Sequence, residues 1–247
     1  VTDTHRATIF GSEAERYDRY RPDYPSEIIN RLVEHQPAIV VDAGCGTGKA
    51  ATLVARRGIN VIGVEPDPRM AEIARRRGID VTVSRLEDWD VVECDVLYSA
   101  QAWHWIDPVR GAEIAGASIR PGGRWAAFWN DETDTDFAAA RDRVYQRLAP
   151  ELLDQRSSRN EDDFQAVIAD AFRATNLFDQ LVVDEVVWLD RVEVAAAVER
   201  LASHSSHRLL APDRSASINE ALQDELGAPT DMLDLSYTTR IFTAERR

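Results

Sequence analysis

Between Val40 and Ala50 the chain reads VVDAGCGTGKA, with glycine at positions 44, 46 and 48. Few folds need backbone this bare. The run before it, AIVVDA, is short and nearly all apolar, as in a strand buried on both faces of a parallel sheet. The segment after it, TGKAATLVARRG, has helical spacing and stops on Gly58. A strand, a glycine loop and a helix are the unit by which an α/β sheet brings backbone N–H groups against a ligand. Glycine in such a loop lets backbone approach the ligand without a Cβ in the way.

The alternation continues. NVIGVE reads as a second strand, followed by the helix DPRMAEIARRRG with Asp67 as N-cap, Pro68 in the first turn and Gly78 as the stop. DVTVS is a third strand and DVLYSA a fourth. A helix from about Asp107 to Ile119, a Pro121-Gly122-Gly123 turn and the strand RWAAFWN follow. Repeated units of this kind predict a doubly wound, mostly parallel Rossmann-like α/β sheet. Ahead of this core, FGSEAERYDRY and PSEIINRLVEHQ look helical and are separated by Arg21–Pro25. After Asn130 the pattern breaks. Residues 134–178 look helical and loop-like, and the strand-like runs LVVDEVVWL and LDLSYTTRIFTA flank helical stretches at about 190–203 and 215–226. No Gly/Ser/Pro-rich linker divides the halves. The expectation is one domain over 1–247: N-terminal helices at 1–36, a cofactor core at 37–130, and an insertion, acceptor-site elements and two closing strands at 131–247.

The loop chemistry narrows the ligand. The dinucleotide fingerprint is G-x-G-x-x-G, whereas Lys49 stands where its last glycine would fall. A P-loop requires Gly-Lys-Ser/Thr, and here Ala50 follows Lys49. Asp42, ending the first strand, would oppose a pyrophosphate and suit an ammonium group. Glu65, ending the second strand, stands where a carboxylate accepts from ribose hydroxyls. Together they describe a nucleoside with an amino-acid tail and no phosphate, which is S-adenosylmethionine.

DAGCGTG, GVEPDPRM, SRLEDWD and PGGRWAAFW resemble the motifs of class I S-adenosylmethionine-dependent methyltransferases over roughly residues 8–130. RYRPDYP and SAQAWHWID are similar to segments of the trans-aconitate-type small-molecule group. The resemblance implies a seven-stranded sheet with an antiparallel last strand. It also implies that Asp42 and Gly44 serve the methionine end, that Gly46 belongs to the cofactor site and that Glu65 takes the ribose. Asp67, Met70, Leu86 and Glu87 fall near the adenine, with Ser99 and Gln101 near the sulfonium. Tyr17 and Arg21 fall in a segment that covers the cofactor in that group. Leu86 and Arg85 depart from the small and acidic residues usual before that glutamate.

Methyl transfer needs a positioned acceptor and little else from the protein. His104 is the best-placed candidate base, with a loop-fixing role as the alternative. Candidates for the acceptor side are Tyr20, Tyr24, Trp103, Trp105, Trp129, Asn130, His204 and His207. The expected acceptor is a small molecule methylated on a carboxylate or hydroxyl oxygen. The alternatives are an RNA or protein methyltransferase, a cofactor-binding module without turnover, and a nicotinamide oxidoreductase. A net charge of −14 argues against nucleic acid and anionic lipid as partners. Two cysteines without metal spacing, no signal-like start and no long apolar run give expectations of no metal, no membrane span and a cytoplasmic monomer or homodimer.

Overall fold

The computed structural model describes residues 14–153, 161–203, 207 and 210–247. Seven strands form one sheet: β1 (Ile39–Ala43), β2 (Asn60–Glu65), β3 (Asp80–Val83), β4 (Cys94–Ala100), β5 (Ile119–Glu132), β6 (Val182–Glu193) and β7 (Met232–Glu245). Their spatial order is β3-β2-β1-β4-β5-β7-β6. β1 through β5 pair in parallel, and β7 runs antiparallel to both β5 and β6. The doubly wound sheet with a reversed last strand is therefore present. Its order turns back between β1 and β4, so the loops leaving those strands diverge and open a crevice there.

The helices α1 (Ala14–Tyr20), α2 (Ser26–Val33), α3 (Lys49–Ala55), α4 (Pro68–Arg76) and α5 (Pro108–Ser118) accompany the core. Asp67 caps α4 by accepting from Arg69 N, and Asp107 caps α5 by accepting from Val109 N and Arg110 N. One sheet face is filled by Ile28 and Ile29 of α2, Val54 of α3 and Ala71 of α4, packed on Val40, Val61 and Tyr98. The other carries Trp103, Trp125, Ile168 and Phe172, so α7 (Glu161–Thr175) belongs to the sheet face. A third cluster joins α6 (Thr135–Leu148), α8 (Val194–Ala202) and α9 (Pro212–Leu226) over Leu235 and Tyr237 of β7.

Two boundaries differ from the sequence expectation. The helix expected from about residue 190 starts at Val194, because β6 stays paired with β7 as far as Glu193↔Met232. Pro121-Gly122-Gly123 lies inside β5, where the register against β4 slips between Cys94↔Ile119 and Val96↔Arg124. Gly122, at φ +77°, absorbs that irregularity.

Candidate functional site

The glycine loop is folded tightly onto its neighbours. Gly44, Gly46 and Gly48 have φ of +73°, +56° and +77°, in the left-handed region. The N–H groups of Gly44 and Cys45 both donate to Val64 O, at 2.8 and 3.1 Å. A Cβ on Gly44 would stand 2.6 Å from the Ala102 Cβ, and one on Gly48 would stand 3.0 Å from the Ala74 Cβ. The loop thus touches both the residue after β4 and helix α4.

Two buried carboxyl groups flank it. Glu65 accepts from Gly46 N at Oε2 and from Asp67 N at Oε1, each at 2.9 Å. Asp42 accepts from the Tyr98 hydroxyl at Oδ2, 2.8 Å away, while its Oδ1 is buried without a hydrogen-bond partner. Burial pushes the Asp42 pKa up to about 7; the Tyr98 hydroxyl opposes the rise and the Glu65 charge adds to it. Burial also pushes Glu65 up to about 7, against the two backbone donors. Groups raised in the folded state stabilise it fully below their unfolded values near 4 and lose that contribution as pH rises through about 7. The ligand-free melting temperature is therefore expected to fall by about 5 °C or more from pH ~5 to pH ~8. Asp42→Asn should flatten that slope in a calorimetric pH series.

A strap from Tyr20 to Tyr24 crosses the crevice, held from several elements. Arg200 Nε of α8 donates to Tyr20 O at 2.9 Å, and Lys49 Nζ of α3 donates to Arg21 O at 2.6 Å and to Asp23 Oδ1 at 3.2 Å. Asn130 Nδ2 of β5 donates to Asp23 O at 3.0 Å, and the Tyr24 ring stands edge-on to Phe128. Arg21, Pro22 and Tyr24 close over Gly44–Thr47 and Gln101, leaving a cavity of about 40 Å³. Ligand pockets are roughly 300–1,000 Å³, so a nucleoside enters only if the strap lifts. Lys49→Met removes two of the anchors. It is expected to raise hydrogen exchange at residues 21–24 about tenfold, with little change in the core strands.

Beyond β4, Gln101 takes φ +60° and donates from its backbone N to Phe128 O at 2.9 Å. His104 lies in the short helical turn Trp103–Trp105, against the Trp105 ring, and its Nδ1 accepts from Trp129 Nε1 at 3.1 Å. A neutral imidazole accepting at Nδ1 carries its proton on Nε2. In this arrangement Trp129 holds the His104 ring in place.

Several expected site residues are committed elsewhere. Trp103 is 1 % exposed and packs in the core on Trp125 and Phe172. Ser99 is buried and donates to Ala43 O, tying β4 to β1. Asp67 is used by its cap and by Arg69; burial acts against ionisation, but those donors outweigh it and lower its pKa. Glu87 accepts from Arg85 and from Asp107 N. Met70 and Leu86 are buried, and the Met70 methyl would be 3.3 Å from a Cβ on Gly46. His207 is buried against the Tyr145 hydroxyl, and desolvation with the nearby Arg141 charge lowers its pKa to about 4. That neutral, enclosed ring is remote from a solvent-facing ligand role. Tyr17 lies on α1 with its side chain outside the described residues, as is His204.

Lys49 and Arg200 were not expected to matter here. The sequence signal for Arg200 is a cation three residues after Ala197, on the apolar stripe of α8. Its guanidinium reaches Tyr20 O, the Tyr237 hydroxyl at 2.9 Å and Asp190 at 2.7 Å. Beside it, Arg141 is buried on Glu132 at 2.7 Å. Among the described residues no His/Cys/Asp/Glu group is arranged to hold a metal, and no helix is long and apolar enough to cross a membrane.

The sheet order and the glycine crevice define a class I methyltransferase architecture. Residues 40–123 match the methyltransferase-domain family. An uncharacterized methyltransferase of Mycobacterium tuberculosis is 38% identical over 126 residues, 49% of this chain and 51% of that protein. The match therefore spans about half the length of that relative. Trans-aconitate 2-methyltransferase of Rhodococcus jostii is 28% identical over 180 residues, 68% of this chain and 70% of its own. The solved structure of a candidate type II methyltransferase from Anaeromyxobacter dehalogenans superposes with a TM-score of 0.66 at 26% identity, covering 92% of this chain and 98% of that one. Residues 40–123 thus carry a methyltransferase domain of the class I S-adenosylmethionine-dependent type, and the chain shows distant homology to the trans-aconitate methyltransferases.

Proposed function

We propose that this protein transfers a methyl group from S-adenosylmethionine to a small-molecule acceptor, on a carboxylate or hydroxyl oxygen. The observation that carries this reading is the pair of buried carboxyl groups, Asp42 and Glu65, on either side of a glycine loop at the switch point of the sheet. The buried Asp42 Oδ1 has an unused acceptor site. A diphosphate would meet two carboxylates; an ammonium and a ribose diol meet acceptors. The residues therefore fit this cofactor, with Asp42 beneath the amino-acid end and Glu65 toward the ribose. Met70 and Leu86 would lie near the adenine.

When bound, S-adenosylmethionine supplies the electrophilic methyl group and its leaving group. This chain's contribution is positioning and exclusion of water. Gly44–Gly48 give close backbone approach. The Tyr20–Tyr24 strap closes over the reacting end, a water-excluding step assigned to lids generally. Trp129 fixes the His104 ring just beyond β4, and Gln101 is held there by its own backbone bond to Phe128 O.

A carboxylate acceptor needs no base, which agrees with a histidine whose Nδ1 already accepts from Trp129. The similarity to a trans-aconitate 2-methyltransferase supports small acids as the first class to try. The test is S-adenosylhomocysteine formation with a panel of di- and tricarboxylic acids, including trans-aconitate, alongside phenols. Turnover with an acid and none with RNA or protein is the expected result. Turnover only with a macromolecule would overturn the acceptor assignment.

A further inference from the structure

We propose that β6 is a self-association edge, occupied by the β6 of a second copy of this chain in antiparallel register centred on Trp188. β6 is the outermost strand of the sheet, twelve residues long, and among the described residues pairs on one side only, with β7. Long unpaired edges are normally blunted by bulges, proline or inward charges. From Val182 to Glu193 this one has no proline and pairs with β7 without interruption, and the one charge held on its inner face, Asp190, is taken up by Arg200 at 2.7 Å. On one face it presents Glu185, Val187, Leu189 and Arg191 in alternation. Val187 is 74% exposed and Leu189 67%, the two most exposed large apolar residues among those described.

The pattern is self-complementary. A two-fold axis perpendicular to the sheet preserves its faces, so it must lie midway between the two β6 strands, level with one residue and its copy. Level with Trp188 it sets Val187 against Leu189 of the second copy and Glu185 against Arg191, each twice. No like charges meet. Moved to Val187, the axis sets Asp184 against Asp190. Moved to Leu189, it sets Glu185 against Glu193. Like charges directly opposite are destabilising, and aliphatic and opposite-charge pairs are favourable. Glu185 is already held by Arg240 at 2.9 Å and Arg191 lies 3.7 Å from Asp234, so the joined edges would form a continuous charge network around the apolar pair.

The test is sedimentation equilibrium at about 100 μM protein, with two further measurements. Wild type is expected to be a dimer. Val187→Lys with Leu189→Lys places lysine against lysine and should weaken the dimer at least 100-fold, with circular dichroism unchanged because both side chains are solvent-exposed. Glu185→Arg should weaken it, and Glu185→Arg with Arg191→Glu should restore it. For register, mixed V187C and L189C proteins should form an interchain disulfide about tenfold faster than either alone, since directly opposite positions meet disulfide geometry and diagonal ones do not. The native Cys45 and Cys94 are buried and should stay silent. A monomeric wild type, a dimer that survives the two lysines, or equal cross-linking in the single-variant samples would overturn the proposal.

Discussion

Glu65→Gln is expected to weaken S-adenosylhomocysteine binding by on the order of 100-fold while leaving the fold intact. The carboxylate accepts from Gly46 N and Asp67 N, one on each oxygen, and each oxygen retains a further lone pair for a ligand hydroxyl. Glutamine has one acceptor oxygen. It satisfies one backbone donor and turns an amide donor toward the other, a mismatch of about 1–3 kcal/mol. Loss of a buried charge offsets part of that in the ligand-free protein. In the complex, two charge-assisted bonds to a diol are lost with no offset, and 100-fold corresponds to about 2.8 kcal/mol. Calorimetric titration beside a thermal melt separates the two effects. Affinity within twofold of wild type would remove Glu65 from the cofactor site.

Gly44→Val is expected to have a larger effect, abolishing measurable cofactor binding. The added Cβ would lie 2.6 Å from the Ala102 Cβ, a distance no relaxed pair adopts, and a β-branched residue is held at φ +73° only under strain. Either the loop or the Ala100–Ala102 segment must shift, and both wall the crevice. Strain and overpacking of this kind cost about 2–4 kcal/mol together. A compensating pair distinguishes the two terms. Gly44→Ala alone meets both the contact and the dihedral penalty. Gly44→Ala with Ala102→Gly relieves only the contact, so binding should return in part. Full binding by Gly44→Val would show that the loop does not need glycine there.

What was legible in the sequence was local. β1, β2 and the loop between β1 and α3 were readable because buried parallel strands are apolar throughout and left-handed turns select glycine. The caps at Asp67 and Asp107 use donors two and three residues away. The end of β6 was missed because its continuation depends on β7, some forty residues later. The strap anchors were hidden for the same reason: Arg200 reaches back 180 positions to Tyr20 O. Trp103 and Ser99 stand at the ligand end of β4; the family resemblance implies a place near the sulfonium for Ser99, and position just past β4 suggests the acceptor side for Trp103. Which way each side chain points depends on α5, α7 and β1, and turned both toward packing. His104 shows the same limit, since its hydrogen-bond role is set by Trp129, 25 residues away.

The central claim is that Asp42 and Glu65 hold the cofactor of this crevice as carboxylates. Both are raised to about 7 without ligand, so a ligand that requires their charge must drive protons off and bind more tightly as pH rises. The direct measurement is calorimetric titration of S-adenosylhomocysteine at pH ~6 and pH ~8, each in two buffers of different ionisation enthalpy, with NADH titrated in parallel. Tighter binding at the higher pH, net proton release at pH ~6 and no binding of NADH are expected. No binding to well-folded protein, binding without proton release at pH ~6, or preference for the diphosphate would contradict it.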